Sequence, residues 1–328
     1  MASQSRATSS SSAQRSSALR THTSRARGGG RGKSGSTRSL MKNGWIPDQH
    51  GAWPMAIIPA ILGATLGGWQ PIHGLLIASW LSGFLFFNAV ELYAKSSRRR
   101  RPRLYPALGT WLIISCLLGY FLLSQAPYLL VWIPFFAPLV AVAFIEVFRG
   151  NERSLVSRTV TILASTLMTP VAFTLSFWWH NFAASIFLPM PGAIDHIFSS
   201  PDWIGNWLYI MGFLPQMQPL WAKVWVTTGV LAAYFLGTVP LVRSLIRGRS
   251  NMRWVWGSVL WYMLTGVGVT FGAMDGFIHW ALIAVWGGLS IRGAAMPWWQ
   301  RTHKPFKPIQ IGLAEMAWCG IIAALLTT

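Results

Sequence analysis

Apolar residues run along this chain in blocks too long and too continuous to be one face of a soluble helix. From Gly51 onward such blocks lie near residues 52–70, 73–94, 105–124, 128–148, 158–180, 223–242, 254–273, 276–291 and 308–328, several of them without one Lys, Arg, Asp or Glu. A helix needs roughly 20 apolar residues to cross a bilayer, so the pattern predicts an all-α, polytopic membrane helix bundle of about nine transmembrane helices. The eighth block is short. Residues 181–222 carry Trp203, Ile204, Trp207, Leu208 and Ile210 among Pro and Gly, which predicts an interfacial or re-entrant segment rather than a span.

The polar stretches between the blocks set the orientation. Basic residues gather before the first block, in Lys95 to Arg103, in Arg149 to Arg158, in Arg243 to Arg253 and in Arg292 to Lys307. With nine spans all of these fall on one side, and only Lys223 falls on the other, so 26 of the 27 Lys and Arg lie together. The positive-inside bias then places the amino terminus inside the cell and the carboxyl terminus outside.

Composition agrees with a lipid solvent: only 11% of residues are charged, against about 25% in soluble domains. The net charge of +19 does not indicate nucleic acid, because the basic residues sit between apolar spans and not in one patch of a folded surface. Partners are expected to be the bilayer and its anionic headgroups, met by the basic tail and the inner loops. The twenty Trp suit helix ends at the headgroup boundary. Cys116 and Cys319 each lie in an apolar run and read as small buried hydrophobes, outside any metal-ligand spacing. Residues 1–42 hold nine Lys or Arg, no acid, and mostly Ser, Thr, Gly and Ala, a composition that cannot bury a core. They are expected to be a disordered tail ahead of a transmembrane domain over 43–328. A transit peptide, or translation starting at Met41, is the alternative.

Candidate chemistry rests on the few polar groups at membrane depth, where ionisable side chains cost about 2.5–3.5 kcal/mol on insertion scales. Asn88 and Glu91 are three residues apart on one helical face. Glu146 ends the fourth block, and Gln49, His50 and Trp53 open the first. Glu315 lies about 12 Å beyond Lys307 at 1.5 Å per residue. Together with Arg149, Asn151 and Arg153 these residues are expected to form a cytoplasm-facing polar cavity. The competing reading has Glu146 paired with Arg149 or Arg153 and Glu91 snorkelling toward Lys95. His73, His180, His279 and Asp275 on the opposite side read as hydrogen-bonded or solvated helix-end residues, without the spacing of a ligand motif. No phosphate loop, nucleophile elbow or H-E-x-x-H is present. Gly63, Gly67 and Gly68 are expected to permit close helix packing.

The opening Trp45-Ile46-Pro47-Asp48-Gln49-His50-Gly51-Ala52-Trp53-Pro54-Met55 resembles the P-x-Q-H-G-A-W-x-M start of the YwiC-like family of bacterial membrane proteins. Arg149 to Leu155 and Lys307 to Glu315 agree with that resemblance, which covers about residues 43–328. It implies a bacterial plasma-membrane protein and implies no particular activity. The residues leave a carrier or binder of a small or lipid-linked anion as the leading expectation. A UbiA-like prenyltransferase layout is an alternative with its metal-binding carboxylates depleted, since Asn88-x-x-Glu91 stands at the first position and Arg243 to Arg253 has no acid. A non-catalytic scaffold is a further alternative. Glu91→Gln and Glu315→Gln are expected to abolish activity without unfolding the protein.

Overall fold

The computed structural model describes residues 39–47, 51–151, 154–182, 218–246, 251–303 and 306–328. The chain divides into two units, Met1–Arg38 and Ser39–Thr328, and the expected disordered tail falls mostly on the first, outside the described residues. The expected re-entrant segment lies largely outside them as well.

Among the described residues every regular element is helical. The helices are α1 (Ala52–Gly67), α2 (Ile72–Lys95), α3 (Tyr105–Gln125), α4 (Ile133–Phe148), α5 (Leu155–Thr166), α6 (Met168–Phe182), α7 (Gln218–Ile246), α8 (Met252–Met274), α9 (Ala281–Thr302) and α10 (Pro308–Thr327). Short 3-10 turns, Arg101–Leu104 and Pro127–Trp132, lead into α3 and α4. Seven of the helical segments are long and apolar enough to span a bilayer, with α5 and α6 counting as one that breaks only at Leu167. The remaining two of the nine expected blocks are α1, of 16 residues, and α9.

Helix α9 corrects the sequence reading. It was expected to end at residue 291 with Arg292 in an inner loop, but it runs from Ala281 to Thr302 and places Arg292 midway along its length. The other blocks are recovered with shifted ends. The sixth, expected over 223–242, extends over the 29 residues of α7.

Local chemistry marks the boundaries. Ser154 caps α5, its hydroxyl accepting from the Ser157 amide at 3.0 Å, and Asn251 caps α8 by accepting from the Arg253 amide at 3.0 Å. Pro308 opens α10, where a missing N–H costs nothing. Gly150, at φ +75°, turns the chain out of α4 through a conformation that other residues rarely adopt.

Helix α1 packs along α6, α2 along α3, α4 along α5, and α7, α8 and α9 follow one another, while α10 closes onto α1 and α7. The approach of α1 to α6 is close: a Cβ on Gly63 would stand 2.0 Å from the Thr169 carbonyl oxygen and 2.9 Å from the Ala172 Cβ. A Cβ on Gly67 would stand 2.5 Å from the Ser176 Cβ, so these two glycines serve packing as expected, while Gly68 ends the helix at φ +91°. One core forms around Trp132, Phe173 and Trp221, and a second around Tyr234, Tyr262, Trp286 and Cys319.

Tryptophan is not confined to the boundary. Trp80 on α2 donates to the Ala56 carbonyl of α1 at 2.8 Å, Trp261 on α8 to the Ala233 carbonyl of α7 at 2.7 Å, and Trp286 on α9 to the Thr265 hydroxyl of α8 at 3.0 Å. In a bilayer such indole N–H groups have no water to fall back on, so they join helices. Outward faces are apolar instead. On α3, Leu112, Ile113, Leu117, Tyr120 and Phe121 are exposed, a surface that suits lipid. Cys116 is on this helix and is exposed, so the expectation that both cysteines are buried holds for Cys319 alone.

Candidate functional site

Two of the carboxylates expected at one cavity, Glu91 and Glu146, have separate partners. Glu91 on α2 pairs with Lys95 one turn later, Nζ to Oε1 at 2.5 Å, as the snorkelling alternative anticipates. Glu146 on α4 accepts a hydrogen bond from the Ser154 hydroxyl at 2.6 Å. That contact is to the residue capping α5 and not to Arg149, so the carboxylate tightens the α4–α5 turn. Arg149 and Asn151 are exposed. Trp53 packs edge-to-face on Phe84, ring centroids 5.8 Å apart, joining α1 to α2. Asn88 is half-buried. Gln49, His50 and Arg153 lie outside the described residues.

On the other side, His73 is buried between α1, α2 and α6. Its Nδ1 accepts from the Gln70 amide at 2.9 Å, and its Nε2 stands 2.9 Å from the Ala172 carbonyl, which only a proton on Nε2 can satisfy. Ser176 adds a third contact at 3.1 Å and donates to the Gly68 carbonyl at 2.7 Å. His279 accepts from the Ala281 amide at 3.1 Å and starts α9. Both histidines are thus engaged by backbone near helix ends, and among the described residues no three His, Cys, Asp or Glu side chains gather as a metal site. The His180 side chain lies outside the described residues.

Glu315 is different, because its partners come from two other helices. Its Oε1 stands 3.0 Å from Arg292 Nη1 of α9. Its Oε2 accepts from the Tyr234 hydroxyl of α7 at 2.8 Å, and the same hydroxyl is 2.9 Å from the Glu315 main-chain oxygen. Tyr262 of α8 donates to the Tyr234 carbonyl at 3.3 Å and its hydroxyl also faces the guanidinium. The Trp318 ring lies 5.6 Å from Arg292 Cζ, a cation–π contact from α10 itself. Gly237 of α7 makes room for this layer, since a Cβ there would meet the Tyr262 ring at 2.6 Å.

The electrostatics are unbalanced toward the donor. Arg292 is 8% exposed, and none of its three guanidinium nitrogens makes an aligned hydrogen bond among the described residues, so its link to Glu315 is a charge contact rather than a fork. One residue along, a Cβ on Gly293 would stand 3.4 Å from the Ser258 hydroxyl, which is also buried without a hydrogen-bond partner among the described residues. Buried donors without acceptors are costly, by about 1–3 kcal/mol each and more for charged groups. Sequence reasoning found Glu315 and missed Arg292, Tyr234 and Tyr262. The available signal was the apolar sequence on both sides of Arg292, from Ala281 to Ser290 and from Gly293 to Trp299.

One family model and two proteins are similar to this chain. Residues 46–173 match the model of the YwiC-like protein family. A Haemophilus influenzae protein with the name "Uncharacterized protein" is 24% identical over 295 residues, covering 86% of this chain and 96% of its own. The Bacillus subtilis "Uncharacterized protein YwiC" is 28% identical over 246 residues, covering 73% of this chain and 81% of its own. No solved structure matches the chain.

Proposed function

Starting from a YwiC-like, multi-pass helical membrane protein, we propose that this chain binds or carries a small or lipid-linked anion whose charge is met by Arg292. The observation that carries the reading is a buried guanidinium, paired to Glu315 at 3.0 Å, none of whose nitrogens makes an aligned hydrogen bond among the described residues. Guanidinium is the side chain suited to a two-pronged grip on carboxylate or phosphate. Glu315 then acts as a resident counterion. An incoming anion displaces it from Arg292, and the Tyr234 hydroxyl retains it. The inner basic clusters raise the local concentration of anions at the bundle's inner mouth.

The proposal includes the finer topology: nine spans in the bacterial plasma membrane, α1 and α9 joining the seven longer apolar segments, with the amino terminus inside. Because Arg292 is enclosed, the anion reaches it when α9 and α10 part.

The test is binding of inorganic phosphate and of a short prenyl diphosphate to the protein in lipid nanodiscs, followed by calorimetry. Wild type should bind one of them. Glu315→Gln should bind it more tightly. The doubly neutral variant, Arg292→Gln with Glu315→Gln, should lose binding while leaving no unpaired charge. Glu91→Gln, whose carboxylate Lys95 already engages, should bind as wild type. Unchanged binding by the doubly neutral variant refutes the reading. Flux into proteoliposomes under a pH gradient separates a carrier from a binder.

A further inference from the structure

Helices α8 and α9 are consecutive and antiparallel, joined by a short turn, so the start of α8 and the end of α9 share one end of the bundle. Their outward faces do not meet flush. Between them lies a groove of about 470 Å³, within the roughly 300–1,000 Å³ usual for small-molecule sites. Ala294, Ala295 and Pro297 form part of its lining, while Trp256, Ile291 and Trp298 stand up as exposed walls. This is the face of α9 opposite Arg292: Leu282, Trp286, Leu289 and Arg292 turn inward.

One end of the groove is cationic. Arg301 lines it, and the described hydrogen bond of its guanidinium is to the Met252 thioether at 2.6 Å, a weak acceptor. Arg253, exposed in the first turn of α8, and Arg243, set over the Trp254 ring at 4.5 Å, lie at the same end. Neither α8 nor α9 contains an Asp or Glu. An apolar furrow capped by arginine at the end of a membrane helix pair has the complementarity of one lipid class. We propose that it holds an acyl chain of an anionic phospholipid, with the phosphate received by Arg301.

Native mass spectrometry of the detergent-extracted protein, titrated with phosphatidylglycerol or with phosphatidylcholine of identical chains, tests this. Phosphatidylglycerol should bind about fivefold more tightly, the ratio equivalent to the ~1 kcal/mol that one Arg contributes near an anionic surface. Arg301→Gln should erase the preference, and Ala295→Phe, which fills the groove, should lower occupancy by both lipids. Lys307→Gln, a basic residue outside the groove, should bind as wild type, and so should the doubly neutral variant at positions 292 and 315, which keeps this site independent of the proposed anion site. Equal binding of the two lipids by wild type overturns the proposal. So does undiminished binding by Ala295→Phe, or a dimer that this substitution converts to monomer, which would make a second copy the occupant.

Discussion

Arg292 and Glu315 illustrate how one charge hides another from hydropathy. A span is conventionally ended at a charge, and ending the eighth block before Arg292 left it short and left Glu315 without its ion-pair partner. The structure resolves both at once, since each charge lies within an otherwise apolar helix and the two meet at 3.0 Å. Glu315 was legible because it is the sole acid in its helix. Its partner was not, because contact across helices leaves no trace in spacing along either one. Removing one member of a buried pair costs about 3–5 kcal/mol, whereas replacing both by apolar residues is often neutral. Arg292→Leu should therefore lower the melting temperature in detergent markedly, and adding Glu315→Leu should restore it. Phosphate or diphosphate, if bound by Arg292, should raise the melting temperature of Glu315→Gln more than that of wild type, since it supplies the missing counterion.

Among the elements, nearly every apolar block became a helix, and the errors lie at the ends. Helix α7 outruns its predicted block at both termini, because its last turn, with Arg243 stacked on Trp254, stays helical beyond the apolar stretch. The α4–α5 turn was read for its charges, yet its organising residue is Ser154, which caps α5 and holds Glu146. Ser154→Ala should cost about 1 kcal/mol, the usual worth of a cap, read from thermal unfolding. Gly63 has less latitude. An alanine Cβ there would press on main chain, not on a flexible side chain, so Gly63→Ala should lower stability by more than about 2 kcal/mol or prevent accumulation of the folded protein.

At the scale of the whole molecule, moving Arg292 into a helix removes one of the 26 basic residues on which the proposed orientation rests and leaves that proposal otherwise unchanged. Tags at the two ends of intact cells should differ accordingly: a carboxyl-terminal tag should be cleaved by external protease and an amino-terminal one protected. Equal protection would mean an even number of spans. The bundle also places a constraint on its own manufacture. At 1.5 Å per residue, the 16 residues of α1 cover about 24 Å, short of a hydrocarbon core of about 30 Å. The helix it packs against most extensively, α6, is made only after α2 to α5. Helix α1 is thus poorly able to remain in lipid alone, and its insertion should be secured only once α6 arrives. Nascent chains stopped before Met168 should expose α1 to quality-control proteolysis, making the arrival of α6 a checkpoint on a segment made much earlier.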